Sequence, residues 1–457
     1  MNVTMMKTRK RFVAMLGVAG TVALLPVGAS AASGSKTLSS NTKFFVRVPD
    51  PAAVTQIEQL ALHGDIADAV RMANMGVIPQ AVWLDGGTPA AVTRLVETTL
   101  LEAELEHTVP VFVPYNIPGR DCGGYSAGGA QTTAAYETWI SAIASTIGTH
   151  QVVVVLEPDA LANLPSDCGY DPTGTLTTAR FAQINYAIGA LEANPSTLVY
   201  LDAGHSEWQS VGTISQRLVQ AGVGQTQGFF LNVSNYQPTP QLTEYGTWIA
   251  ECIYFAAQPD WRLGNYDYCA SQYYPANSTD FSTWSQSDAW YTANVWQQAN
   301  PPASLSVLTH FILDTSRNGT STGDNPPSYK MNVYGSAPYN EEASVISTLQ
   351  AGSWCNPPTS GLGARPTANT GNANVDAFLW VKTPGESDGE CDIQGGARAW
   401  DYSVYTQPGW PTVADQTAAD AAYETFDPLW GLTDPAAGIW FPQQALQLAQ
   451  LASPALL

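Results

Sequence analysis

The sequence predicts an α/β chain folded as a distorted (β/α) barrel of about seven parallel strands, with its active site at the carboxyl ends of the strands. Three observations carry this. Short apolar runs rich in β-branched residues recur along the chain, as strands buried on both faces require. Helical patterns separate most of them, at 134–147, 178–192 and 213–221, which is the alternation of a parallel sheet. Each run also ends in a polar or charged group, where barrel enzymes keep their chemistry.

In chain order, the run 78–84 leads to Asp85, and 109–115, ending in Tyr115, leads to Arg120, Asp121 and Cys122. The most apolar run, 152–156, ends in Glu157, Pro158 and Asp159. The run 197–201 delivers Asp202 and then Gly204 and His205; 229–233 delivers Ser234, Asn235 and Tyr236; 307–313 delivers Asp314. The last, 377–381, leads to Lys382, Glu386, Ser387 and Asp388.

Residues 1–31 stand apart. Lys7, Arg9, Lys10 and Arg11 precede an apolar stretch from 12 to 25, and Ala29-Ser30-Ala31 follows, the layout of a secretory signal peptide. The apolar stretch is short for a membrane anchor. The basic residues before Phe12 leave the Sec and twin-arginine routes open. Residues 32–457 are expected to form one catalytic domain, since no linker or internal repeat interrupts the alternation. Removing the four basic residues of the leader takes the formal charge from −21 to about −25. Such a surface repels nucleic acid and anionic membranes, so a secreted monomer acting on a neutral substrate is expected.

Six cysteines in an exported chain, none in Cys-x-x-Cys spacing, point to disulfides rather than metal. Sequence leaves their connectivity open, and the simplest local pairing is Cys122 with Cys168, Cys252 with Cys269 and Cys355 with Cys391. The first and third would brace the loops carrying Asp121 and Asp388.

The chain has no P-loop, dinucleotide glycine fingerprint or His-Glu-x-x-His, so phosphoryl transfer, hydride transfer and zinc proteolysis lack their parts and no cofactor or metal is expected. Carboxyls without a metal cluster suit acid–base chemistry, and glycosidic hydrolysis characteristically needs such a pair. A single Trp reads first as core packing. Trp83, Trp208, Trp354 and Trp380, together with Tyr115, all lie beside the acids, and flat rings match the apolar faces of sugars.

The runs 152–164 and 115–129 resemble the two signatures of glycoside hydrolase family 6, the inverting cellulases. The resemblance continues through 201–208, 314–319, 365–371 and 380–389. It implies that Asp159 is the general acid, that Asp121 raises its pKa, and that Asp388 is the general base, directly or through water. It also implies cellulose and cello-oligosaccharides as ligands. Lys382 and Glu386 would hold sugar hydroxyls, Tyr115 would press on a distorted ring, and Trp83, Trp208 and Trp354 would floor neighbouring subsites. Asp85 and His205 join these as substrate-binding candidates, and Asp202 as an electrostatic anchor. Ala127 follows Ser126 where many relatives carry a second Ser.

Two rivals stand against this reading. Gly124-Tyr125-Ser126-Ala127-Gly128 fits an esterase nucleophile elbow with Asp202 and His205 downstream, although a long loop precedes the serine. A non-catalytic carbohydrate-binding protein is the other. Within the family reading, the aromatic-rich segment 237–302 reads as a loop insertion stapled by Cys252 and Cys269 that roofs the active-site face, and 399–429 as a second insertion. That favours exo action with release of cellobiose over internal cutting.

Overall fold

The computed structural model describes residues 36–169, 171–302, 304–322, 325–422 and 426–456. The signal peptide expected at 1–31 lies outside them. Seven parallel strands follow chain order in one sheet: β1 Val82–Leu84, β2 Val111–Pro114, β3 Val152–Leu156, β4 Thr197–Asp202, β5 Gly228–Leu231, β6 His310–Asp314 and β7 Val375–Leu379. The helices are α1 Pro51–His63, α2 Ile66–Gly76, α3 Pro89–Glu106, α4 Thr133–Ile147, α5 Thr175–Glu192, α6 Val211–Ala221, α7 Thr239–Ala256, α8 Trp284–Tyr291, α9 Pro327–Lys330, α10 Ala343–Ala351, α11 Val413–Ala422 and α12 Pro442–Gln450. Among the described residues no helix is long and apolar enough to cross a membrane.

Because side chains alternate along a strand, each strand serves two cores at once. Val111, Val113, Val153, Val155, Leu198, Tyr200, Phe230, Ile312, Ala377 and Leu379 fill the interior of the curled sheet. Their neighbours Phe112, Val154, Leu156, Val199, Leu201, Phe229, Leu231, Phe311 and Leu313 pack outward against the helices. Burial on both faces explains why the strands read as continuous apolar runs. Among the described residues no ladder closes the seam between β1 and β7. It is bridged by the Ala81 N–H to the Trp380 carbonyl at 3.0 Å and by the Trp83 indole N–H to the Val381 carbonyl at 2.8 Å. Residues of α1, α2 and α12 cover it around Trp380 and Trp440.

The segment 237–302 differs from the expected loop. Its first third is α7, the crossover helix between β5 and β6, with Leu242, Tyr245, Trp248, Ile249, Cys252 and Phe255 buried in the main core. The remainder packs on the outside of that helix. Trp248 stacks on Tyr291 at 5.1 Å, and Phe255, Trp261 and Tyr268 form a further ring cluster. Aromatic richness here reflects a second layer around α7. The three disulfides join Cys122 with Cys168, Cys252 with Cys269 and Cys355 with Cys391, the local pairing. In the described parts of 399–429, Trp400, Trp410 and Phe426 likewise pack against Met331, Tyr334 and Leu349.

Gly246 lets α7 approach the sheet. A Cβ there would stand 2.5 Å from the ring of Phe311, itself stacked on Phe229. Gly246→Ala is therefore expected to destabilise the fold by about 1–3 kcal/mol through overpacking, read as a lower urea midpoint at unchanged slope. A helix held loosely as part of a lid would tolerate the methyl group.

Candidate active site

Strand parity decides which polar side chains enter the mouth of the barrel. Continuing the inward-facing rows brings Tyr115, Asp202 and Asp314 to the carboxyl end, whereas Glu157, past the end of β3, turns toward Tyr136 of α4 and Arg180 of α5. Asp159 joins them because the chain turns sharply after β3. Glu157 and Asp159 have φ of 51° and 67°, and across the site Asp121 and Cys122 have φ of 57° and 49°. Left-handed backbone at non-glycine residues costs about 1–3 kcal/mol each and persists only where surrounding contacts enforce it.

Those contacts are visible. The Asp202 carboxylate accepts the N–H groups of Leu161 at 3.0 Å, Ala162 at 2.7 Å and Gly204 at 3.0 Å. Arg217 holds the same turn by donating to the Leu161 and Ala162 carbonyls. Buried Glu157 accepts the N–H groups of Asn116 and Ile117, each at 2.9 Å, and so ties the end of β3 to the loop after β2. Burial pushes its carboxyl up to about 7.

Asp388 is held from three directions. Arg317, fully buried, donates to both its oxygens, at 2.8 Å to Oδ1 and 2.9 Å to Oδ2. Tyr236 Oη donates to Oδ2 at 2.7 Å and the Asn356 N–H to the same atom at 3.0 Å. The Arg317 guanidinium also lies over the Tyr236 ring, 4.2 Å from its centroid. Oδ2 thus takes three donors and Oδ1 one, which leaves Oδ1 the freer atom to meet a water.

Asp121 accepts the Ser126 N–H at 2.6 Å, and burial raises its pKa against that hydrogen bond and nearby Arg120. Asp159 is different. Among the described residues no protein donor reaches its carboxyl, while enclosure and the charges of Asp202, Asp121 and Asp388 push its pKa well up, against a smaller pull from Lys382. Burial raises Asp202 as well, but its backbone N–H donors oppose that shift. Donors stabilise the ionised form, so the proton shared by this pair rests on Asp159.

Around the carboxyls stand the other predicted residues. Trp83 meets Tyr115 edge to face at 5.4 Å, and His205 lies 5.5 Å from Trp208. Lys382 is buried, donates to the Ser387 carbonyl at 3.2 Å, and is pushed down in pKa by desolvation. Glu386 pairs with Arg47 at 3.5 Å. Trp354 is 40% exposed and tilted on Tyr125 at 6.0 Å. Asp85 departs from expectation: its side chain is exposed, and its backbone carbonyl receives Arg120. Tyr236, Arg317, Asn356 and Glu157 are the site residues that sequence reasoning did not select.

The loop bearing Asp121 touches the loop that follows Asp388. Tyr125 Oη donates to Asp392 Oδ1 at 2.7 Å and accepts the Asp392 N–H at 2.9 Å. A Cβ on Gly389 or Gly395 would fall 2.3 or 1.9 Å from the Tyr125 side chain. An esterase triad is not assembled. The Ser126 N–H serves Asp121, Asp202 holds backbone amides, and His205 Nδ1 accepts the Glu207 N–H at 3.2 Å. Burial also pushes His205 down to about 4.

A family model described as glycosyl hydrolases family 6 matches residues 39–452. The chain belongs to this family. It is 32% identical over 320 residues to endoglucanase 1 of Streptomyces sp. (strain KSM-9), covering 70% of this chain and 66% of that one. With endoglucanase 1 of Streptomyces halstedii it shares 29% over 381 residues, 83% and 92% of the two chains. Relatives named as a probable cellobiohydrolase and an exoglucanase match at 27% and 26%. The endoglucanase Cel6 of Mycobacterium tuberculosis, solved with methyl-cellobiosyl-4-deoxy-4-thio-β-D-cellobioside, superimposes with a TM-score of 0.57 at 28% identity, covering 90% of this chain and 97% of that one. The family 6 fold thus accounts for the seven-stranded curled sheet.

The Asp202 clamp yields a pH prediction. Asp202 raises the pKa of Asp159, so Asp202→Asn removes that charge and lowers the pH at which Asp159 loses its proton. The alkaline limb of kcat/KM on a cello-oligosaccharide should move to lower pH, with a reduced plateau because an amide cannot accept all three N–H groups. An unmoved limb would show that Asp202 does not act on the acid.

Proposed function

We propose that this chain is a secreted, inverting β-1,4-glucanase that hydrolyses cellulose, with Asp159 as general acid and Asp388 on the side from which water attacks. One observation carries the assignment of the acid: Asp159 is the enclosed carboxyl that receives no donor while its neighbours do. Protonated Asp159 gives its proton to the leaving glycosidic oxygen as the bond breaks. A water on the opposite face attacks the anomeric carbon and passes its proton to Asp388 Oδ1 or to a water in contact with it. Tyr115 and Trp83 offer ring faces to the sugar, Lys382 and Glu386 polar groups to its hydroxyls, and Trp208 and Trp354 floor the subsites on either side. His205, held neutral near pH 7, adds a hydrogen-bonding edge without charge.

Exo action with cellobiose release is the reading we favour, now on a different loop pair from the one the sequence suggested. Beyond α7, the hydrogen bonds of the 237–302 segment to the rest of the described chain reach the Ser206–Gln209 turn and Tyr329. That segment buttresses the turn carrying His205 and Trp208. A roof is better supported by Tyr125 and Asp392, which join the loop of Asp121 to the loop of Asp388. An endoglucanase on the same fold is the second reading, favoured by the names and higher identities of the Streptomyces relatives.

Asp159→Asn should lower turnover of cellohexaose by about 10²–10⁴-fold, the usual weight of a general acid, and cost far less on aryl cellobiosides with good leaving groups. Equal losses on both would remove Asp159 from that role. Proton NMR of fresh product should show the α anomer first, as inversion demands, and initial β anomer would contradict the mechanism. For the mode of attack, the intact enzyme should thin carboxymethylcellulose slowly per reducing end formed, and Tyr125→Ala should quicken thinning. Rapid thinning by the wild type would favour the endoglucanase.

A further inference from the structure

Behind Asp388 lies a buried charge cluster that the proposed reaction does not use. Arg398 donates through Nε and Nη2 to the two oxygens of Asp427, each at 2.8 Å, with both side chains fully buried. Its remaining N–H groups go to the carbonyls of Gly352, Ala397 and Cys355. One guanidinium is thus balanced by one carboxylate. A second carboxyl, Asp434, stands beside them, 2% exposed, with an oxygen within 4.8 Å of one of Asp427. The third member of that group, the Cys391 sulfur, is bonded to Cys355 and neither titrates nor ligates.

Asp434 Oδ2 accepts the Asn356 side-chain N–H at 2.9 Å, whereas buried Oδ1 meets no donor among the described residues. An orphaned carboxylate oxygen facing another carboxylate is costly. Carrying a proton, the Asp434 carboxyl instead becomes a donor toward Asp427. Burial and the charge of Asp427 push the Asp434 carboxyl up to about 9, against the Asn356 hydrogen bond and Arg398. Other titratable or charged groups near the cluster are Tyr125 and Tyr334, and across Asn356 the Asp388–Arg317 pair.

Asn356 connects this cluster to the site. Its side-chain N–H groups serve Asp434, Ser387 Oγ and the Gly389 carbonyl; its Oδ1 accepts the Asp388 N–H at 2.9 Å and Gln444 Nε2 at 3.0 Å. Its own backbone N–H donates to Asp388 Oδ2. We infer that Asp434, in its neutral acid form, is a positioning residue for Asp388 that acts through Asn356. The inference rests on the reading of Asp388 given above. A neutral acid presents one carbonyl to Asn356 and one hydroxyl to Asp427, and this pair of roles fixes which way the Asn356 amide faces. Ionised Asp434 would repel Asp427 and release that amide.

The test compares Asp434→Asn, Asp434→Ala and Asp388→Asn with the wild type on cellohexaose, with Tm followed from about pH 7 to pH 10. Asparagine reproduces the carbonyl and donor of the neutral acid, so Asp434→Asn should keep kcat within about twofold. Asp434→Ala should lose about tenfold in kcat, the weight of one hydrogen bond, with KM nearly unchanged. The raised pKa of Asp434 contributes stability that is full below the unfolded carboxyl value and lost as pH rises through about 9. Asp434→Asn should flatten that alkaline fall in Tm. If Asp434→Ala does not fold, the Asn variant decides alone, since a tenfold loss there would overturn the neutral-acid role. Wild-type kcat in Asp434→Ala beside an impaired Asp388→Asn would overturn this inference only. Full turnover in Asp388→Asn would overturn the reading of Asp388 beneath it.

Discussion

Asp202 reaches from the end of β4 to the backbone N–H groups of the turn that carries Asp159, and the rest of the site depends on that clamp. It holds Asp159 in left-handed backbone, where its carboxyl meets the charges of Asp121, Asp388 and Lys382. Those same donors stabilise charge on Asp202, so the proton that two enclosed carboxyls cannot both surrender stays on Asp159. Glu157 performs the matching task one strand over, tying β3 to the loop after β2 and thus to Asp121. Geometry and protonation have one cause here.

The opposite side is built on a buried arginine. Arg317 sits in the core at the end of β6, spans to both oxygens of Asp388 and stacks on Tyr236. A guanidinium suits this because its planar fork engages two oxygens while desolvated, which a lysine ammonium cannot do. Lys382 adds a second positive charge nearby, set against the carboxyls of Asp388, Glu386 and Asp314. The Tyr125–Asp392 contact then links the two sides from above, with disulfides at the base of both loops.

Much of this was legible in the sequence for physical reasons. Seven strands buried on both faces must read as apolar runs, and the polar groups at their ends must lie on one face of a parallel barrel. Alternation within a strand also separates inward from outward positions, and extending the rows of Val153 and Val155, or of Leu198 and Tyr200, leads to Glu157 and Asp202. For Asp202 that extension holds, whereas Glu157 leaves strand geometry and turns to Tyr136 and Arg180. Tyr236 stands just past the run 229–233 and Arg317 within the family-like stretch 314–319, but no spacing links either of them, or Asn356, to Asp388. The segment 237–302 was misjudged because its Trp and Tyr content resembles a sugar-binding loop. Leu242, Tyr245, Ile249 and Cys252 recur at helical spacing, which marks a helix packed on the sheet. Disulfide pairing followed sequence proximity, and the short loops it closes made that pairing the simplest.

The mechanism turns on where the proton resides in the free enzyme, and that place is Asp159. Carbon-13 NMR of protein labelled at the aspartate carboxyls, with Asp159→Asn to assign the resonance, reads this directly. The Asp159 carboxyl is expected to stay protonated well above about pH 3.9, the ordinary aspartate value. A resonance titrating at that ordinary value would contradict it.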